Sequence, residues 1–252
     1  PGVVLAEEQY GIAAKKGNAA LIAKINEAII ALADTEYKTI AAKYGLATET
    51  LVKSDTINPK ADAIDASWNN VVTAKKLVIG YTLFAPIAYT DGDGADAELI
   101  GFDIDLAKEV AKRMGVELVL QPISWDAKEL ELSGGNIDCI WSGLTITEER
   151  KAQMLFTMPY LANEQIMVVM ADSGIASAAD LAGKVAAVES GSAGETYAAT
   201  FEGATVKGCL KQTDCLMEVK AGTADACVID ITMAYAMTGE GSNYADLAPG
   251  MS

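Results

Sequence analysis

Apolar positions along this chain fall into short blocks of two kinds, and the blocks alternate. Leu77–Val–Ile–Gly80 is a compact apolar run that predicts a strand, followed by a Gly- and Asp-rich loop through Gly94. Asp103 to Met114 places Ile104, Leu106, Ala107, Val110, Ala111 and Met114 at helical spacing, and Glu117 to Leu120 follows as the next strand. A helix over 127–132 then leads to a strand over 137–141 and a turn at Ser142-Gly143. Met167 to Met170 carries the chain into a second block where the pattern repeats. There a strand over 185–188 precedes the Gly-rich turn Ser190 to Gly194, a helix opens at Glu195, and a strand over 226–229 ends in Asp230. Ahead of both blocks, the segment Tyr10 to Ala13 is followed by helices over 19–32 and 36–44, with Gly45 as a C-cap. Strands alternating with helices predict an α/β fold of mostly parallel sheets with helices on both faces.

Between these parts, Ser54 to Lys76 is polar and weakly patterned, with a turn signal at Asn58-Pro59 and a linker over 55–66. At 51% apolar residues the chain can bury a sizeable core. No run of eighteen apolar residues exists to span a membrane. The opening P-G-V-V-L-A-E-E lacks the basic region and cleavage pattern of a signal peptide, as expected of a mature or re-engineered chain. A net charge of -16 makes nucleic acid and anionic membranes poor partners. The absence of histidine removes Ser-His-Asp and Cys-His catalysis and the commonest metal ligand. The spacing of Cys139, Cys209, Cys215 and Cys227 fits no zinc or iron–sulfur pattern, so neither metal nor cofactor is expected. Cys139 and Cys227 lie in strand-like runs and read as buried thiols. Cys209 and Cys215 flank K-Q-T-D and could pair across it or remain free.

Two segments carry a resemblance. Gly101 to Met114, G-F-D-I-D-L-A-K-E-V-A-K-R-M, and Thr145 to Arg150, T-I-T-E-E-R, resemble the signature segments of the bacterial polar amino-acid binding proteins, the family 3 solute receptors that feed ABC importers. In that family the first segment lies near the mature N-terminus, whereas here about a hundred residues precede it. Those from Tyr10 through Leu51 resemble the family's last stretch. The chain therefore resembles a circular permutant of a two-lobed, type II periplasmic-binding-protein-like receptor with its ends at the hinge. The resemblance implies a first lobe over 8–53 plus 68–161, a junction of the old termini over 54–67, and a second lobe over 166–247. Residues 1–7 and 248–252 would be stumps of a severed hinge crossover, leaving one crossover intact near 163–166.

The resemblance also implies a ligand site. Arg150 would grip an α-carboxylate, for which a planar guanidinium offers two parallel donors. The plainer alternative is a surface arginine paired with Glu148 or Glu149. Thr145 would offer its amide and hydroxyl, with Ser142 and Gly143 forming the turn beside it. Ser192 and Ala193 would present amides at a helix start to the same carboxylate, although the family usually has Thr or Ser where Ala193 stands. Asp230 would bind the α-ammonium or, alternatively, cap the helix over 231–237. Phe84 and Trp125 would wall the ligand's side chain with Tyr81 adding to the lining, against simple core packing, which is the reading for Trp141. The run Gly80 to Phe84 is shorter than usual and carries no acid, so a neutral amino acid is expected. The leading function is thus binding of one small α-amino acid by hinge closure, in a monomer served by an ABC permease. In its parent the protein would be periplasmic or extracellular and lipoprotein-tethered. A cyclohexadienyl-dehydratase-like enzyme with Glu189 or Glu195 as acid is the alternative, and a sensor reporting closure to a fused module is a third output of the same site.

Overall fold

The computed structural model describes residues 4–92, 94 and 97–249. The strands are β1 (Val4–Tyr10), β2 (Ala13–Lys15), β3 (Lys76–Tyr81), β4 (Tyr89–Asp91), β5 (Glu98–Ile100), β6 (Glu117–Pro122), β7 (Cys139–Ile140), β8 (Met154–Phe156), β9 (Leu161–Met170), β10 (Val185–Glu189), β11 (Thr205–Cys209), β12 (Ala226–Asp230) and β13 (Leu247–Pro249). The helices are α1 (Ala19–Leu32), α2 (Glu36–Lys43), α3 (Ser67–Ala74), α4 (Phe102–Met114), α5 (Lys128–Gly134), α6 (Glu148–Gln153), α7 (Ala193–Ala198), α8 (Gln212–Lys220) and α9 (Ile231–Met237).

Two sheets form two lobes. The first runs β6-β3-β7-β2-β8, with β3 parallel to β6 and β7, and β2 antiparallel to both its neighbours. Its core is built by helical spacing: α1 buries Leu21, Ile22, Ile25 and Ile29, and α4 buries Phe102, Leu106, Ala107 and Val110. Asp103 and Asp105 in the first turn of α4 and Lys112 and Arg113 in the last suit the helix dipole, and Gly115 closes it in the left-handed conformation. Phe102 stacks on Tyr160 at 6.2 Å, and Trp141 packs against the same tyrosine, entirely buried, as core packing predicts.

The second sheet runs β1-β9-β12-β10-β11, with β10 parallel to β11 and β12, and β9 antiparallel to β12. Strands β1 and β13 share the other edge of β9: Pro249 lies opposite Val168 and Val4 opposite Ile166. The sheets are joined twice, from β1 to β2 through Gly11 and Ile12 and from β8 to β9 through 157–160.

The strand expected at Met167 begins six residues earlier, at Leu161. Its first half carries Asn163 and Gln165, buried polar residues that serve the region between the lobes and break the apolar run. Val4 to Tyr10, expected in part as a stump, is a strand paired along β9, with one register shift between Val4 and Ala6, and it feeds a continuous crossover. Within the polar stretch, 67–74 forms α3 by burying little more than Val71, too narrow an apolar face to register as a pattern. All four cysteines are free and buried; Cys215 Sγ donates to the Lys211 carbonyl at 3.5 Å, and its thiol draws the pKa of the neighbouring Cys209 down.

The start of the G-F-D-I-D segment has a steric requirement. Gly101 sits at φ +132°, and a Cβ there would lie 2.3 Å from the carbonyl oxygen of Ile87. Gly101→Ala is expected to cost about 2 kcal/mol or more in chemical denaturation, because strain and backbone clash add.

Candidate functional site

The turn after β7 is held from beneath. Gly143 adopts φ +57°, and an added Cβ would stand 2.6 Å from Phe84 Cζ, so the aromatic wall closes only over glycine. Its amide donates to Asp103 Oδ2 at 2.7 Å, and the Tyr160 hydroxyl donates to the same oxygen at 2.9 Å. Burial pushes the Asp103 carboxyl up to about 7 against these hydrogen bonds. Ser142 Oγ accepts from the Thr82 amide at 3.0 Å and donates to its carbonyl at 3.2 Å, tying the turn to the chain after β3.

Arg150 is aimed by its own helix start, where Thr147 accepts from the Arg150 amide at 3.1 Å and caps α6. The guanidinium donates through Nη1 to the Thr145 carbonyl at 2.8 Å and through Nη2 to the Gly191 carbonyl of the other lobe at 3.1 Å. It makes no ion pair with Glu148 or Glu149, which removes the surface-pair alternative. Burial draws its pKa down, opposed by the surrounding carboxylates, Glu129 first and then Glu8 and Asp230.

In the second lobe, Ser192 caps α7 by accepting from the Glu195 amide at 3.1 Å, and Glu195 Oε2 accepts from the Gly191 amide at 2.7 Å. Asp230 ends β12 without a side-chain bond to α9, so it does not act as the cap of that helix. Its Oδ1 accepts from Asn163 Nδ2 at 2.6 Å and from Gln165, and its Oδ2 accepts from Gln212. Burial first, and the nearby Glu8 second, push Asp230 up to about 7. Glu8 Oε2 accepts from Thr145 Oγ1 at 3.0 Å, Asn163 Nδ2 at 3.1 Å and Gln165 Nε2 at 3.0 Å, which gathers both lobes onto one carboxylate. Glu189, also buried, is raised to about 8 by burial and by Asp230.

Nine of the ten residues expected from sequence line one enclosed cavity: Phe84, Trp125, Ser142, Gly143, Thr145, Arg150, Ser192, Ala193 and Asp230. Tyr81 does not; it lies in β3 opposite Pro122, and Thr82, one position on, takes the place in the wall. The strand's two-residue period decides this, because adjacent side chains face opposite ways. The cavity has about 10 Å³ of room for the centre of a water-sized sphere, about one water molecule. The lobes are therefore shut on each other, and an amino acid enters only when they part.

Sequence reading missed Glu8, Asn163, Gln165, Gln212 and Lys128. The first three stand in E-E-Q and N-E-Q runs of the hinge strands, where polar residues at strand positions were the available signal. Lys128, 2% exposed, donates to the Trp125 carbonyl at 3.1 Å and across the cleft to the Gly191 carbonyl at 2.9 Å, with its ammonium 4.8 Å from the Trp125 ring. Burial, then Arg150, lower its pKa. Among the described residues no group of three or more acidic or cysteine side chains could hold a metal ion.

The raised carboxyls set a pH dependence. Asp103, Asp230 and Glu189 keep their protons in the folded state up to about 7, 7 and 8, whereas the unfolded chain releases them near their ordinary values. Their contribution to stability is complete below those ordinary values and is lost as pH rises through the folded ones. The melting temperature of the ligand-free protein is expected to fall between pH 5 and pH 8, each carboxyl contributing a slope of up to about 1.4 kcal/mol per pH unit. A flat or rising profile in differential scanning calorimetry would contradict these environments.

The family of bacterial extracellular solute-binding proteins, family 3, matches residues 77–235. The arginine-binding extracellular protein ArtP of Bacillus subtilis is 32% identical over 160 residues, which are 62% of this chain and 61% of that protein, so the chain spans under two thirds of that relative. The solved structure of holo ArgBP from T. maritima matches with a TM-score of 0.67 at 35% identity, over 73% of this chain and 80% of the other. An ancestral amino-acid-binding protein, described as a precursor of cyclohexadienyl dehydratase, matches with a TM-score of 0.63 at 32% identity, over 68% of this chain and 77% of its own.

Proposed function

The chain belongs to the bacterial extracellular solute-binding proteins of family 3, and on that premise we propose that it closes its two lobes on one small α-amino acid. The family acts outside the cytoplasm, and among the described residues no helix is long and apolar enough to cross a membrane. One observation carries the reading: a half-buried guanidinium, Arg150, and a buried carboxyl, Asp230, reach the same cavity from opposite lobes. An α-amino acid presents the complementary pair, carboxylate and ammonium, on one carbon. On binding, its carboxylate replaces the Gly191 and Thr145 carbonyls that Arg150 now holds, and its ammonium replaces amide donors on Asp230. Phe84 and Trp125 flank the side chain.

The relatives named above include arginine-binding proteins, but a neutral side chain suits this pocket better. Lys128 already places one ammonium over Trp125, and Glu189, with its carboxyl raised to about 8, is mostly uncharged at neutral pH. Release of the loaded lobes to an ABC permease follows from the family role. Lys128→Met removes a hydrogen bond that spans the lobes, so dissociation of the bound amino acid is expected to quicken by about tenfold in stopped-flow measurements, as loss of a charged-group bond implies.

The order of elements is read as permuted. Residues ahead of the family-matched segment supply β2, which lies between β7 and β8 of the first lobe, and α1, which packs on α4. Strands β13 and β1 follow one another along β9 with one register position between them, and a fused reporter there would feel lobe motion. A chain with 249 joined to 4 through a short linker and opened within 55–66 should fold and bind with unchanged affinity; failure to fold would count against permutation.

A second reading, a cleft enzyme, is favoured by Glu189 alone, a buried acid that still holds its proton near neutrality. Glu189→Gln separates the two, because binding survives it and general-acid catalysis does not. The main reading is tested by thermal shift against the twenty amino acids, where a ligand at a hundred times its Kd adds about 2.7 kcal/mol. No shift with any of them would overturn it.

A further inference from the structure

Glu189 is a polar group of the cleft that recognition of a carboxylate and an ammonium leaves without a task. It is the last residue of β10, 4% exposed, and it lines the same cavity as Phe84 and Trp125. Two residues on, Gly191 meets the opposite lobe. A Cβ there would lie 3.0 Å from Asp126 Cα, and the Gly191 carbonyl accepts from the Lys128 ammonium that stands 4.8 Å from the Trp125 ring. The end of β10 therefore faces the wall built by Trp125, where the ligand's side chain lies.

The Glu189 carboxyl is uncommitted. Gln212, the amide beside it, donates Nε2 to Asp230 Oδ2 and accepts from the Asp230 amide on Oε1 at 3.0 Å. Among the described residues neither Glu189 oxygen stands among the sealed, unpartnered polar atoms, so the carboxyl opens onto the cavity it lines. Burial, and then the charge of Asp230, favour the uncharged acid. Lys128 opposes them, but its hydrogens go to the carbonyls of Trp125 and Gly191 and to Glu129 at 3.3 Å. Near neutral pH the group is a carboxylic acid, with an O–H donor and a C=O acceptor side by side.

The complementary group carries an acceptor and a donor in one plane. A carboxamide does so: its C=O accepts the acid O–H, and its N–H donates to the acid C=O. An apolar side chain leaves both halves of the acid unpaired, and a hydroxyl satisfies one of them. A carboxylate adds a third acid to Asp230 and Glu189 while Lys128 is already committed. A cationic side chain must first strip the proton from Glu189, next to the Lys128 ammonium.

We propose that Glu189 sets the side-chain preference of the cleft by pairing its carboxyl with a terminal carboxamide, so that the class of ligand taken is that of asparagine and glutamine. This rests on the amino-acid reading of the cleft and narrows it.

Calorimetric titration tests it, each carboxamide run beside an apolar counterpart of like shape: glutamine with methionine, asparagine with leucine. In the parent at least one carboxamide should bind about tenfold or more tighter than its counterpart, and tighter than glutamate, lysine and arginine. Glu189→Leu should bring that ratio to about one, while the apolar counterpart binds at least as well as in the parent, which shows the cleft intact. Glu189→Gln, whose amide also offers a donor and an acceptor in one plane, should keep the preference. A ratio near one in the parent, tighter binding of lysine or arginine, a preference that outlasts Glu189→Leu, or one lost in Glu189→Gln would each overturn the assignment and leave the amino-acid reading standing. Binding of no amino acid at all would overturn both.

Discussion

Arg150→Met is expected to abolish amino-acid binding while the protein stays folded. The guanidinium spends its donors on the carbonyls of Thr145 and Gly191, at the meeting of the lobes rather than in either core. Methionine keeps the aliphatic volume and removes every donor. Losing a charge-assisted bidentate contact costs on the order of 3 kcal/mol, about a hundredfold or more in affinity. Calorimetry within threefold of the parent would show that the carboxylate is held elsewhere. The melting temperature of the ligand-free variant should change little, or rise, since a half-buried cation is removed together with its desolvation cost.

Asp230→Asn carries the second large effect, and it discriminates among ligands. The carboxylate collects donors from Asn163, Gln165 and Gln212, an arrangement that stabilises negative charge. Burial and Glu8 nevertheless raise it to about 7, so the free site holds a proton that an incoming ammonium must displace. Affinity for amino acids should therefore tighten as pH rises through about 7 in the parent and lose that dependence in Asp230→Asn. The variant should weaken amino acids by about tenfold or more, the scale of one charged hydrogen bond, and leave their deaminated analogues nearly unaffected. Equal losses for both ligand sets would assign Asp230 a purely structural role.

Much of the fold could be read from the sequence where a periodic apolar face is wide. The helices over 19–32 and 231–237 match expectation to the residue, because α1 buries a full stripe and Asp230 marks the strand-to-helix boundary before α9. What escaped notice has a common cause. Strand β1 and the first half of β9 carry Glu8, Asn163 and Gln165, which are buried between the lobes and satisfy one another there. Polar residues in that setting look like loop when only hydrophobicity is read. The site shows the same division. Arg150, Thr145 and the Ser142-Gly143 turn were marked by motif, and the backbone explains the motif, since Gly143 must be left-handed and Asp103 must reach its amide. Lys128 carried no signal, because a lysine in the polar text K-E-L-E-L reads as solvated until the opposite lobe is placed against it. Tyr81 failed for the opposite reason, one residue of strand register placing it outside the wall.

The central claim is that Arg150 and Asp230 recognise the two charged groups of one α-amino acid. Its most direct test is a calorimetric titration of the amino acid that gives the largest thermal shift, run beside its α-amide, which keeps the side chain and the ammonium and lacks only the carboxylate. The amino acid should bind and the amide should bind about a hundredfold more weakly, the loss expected when a charged bidentate partner is neutralised. Equal affinity for the two would contradict the account.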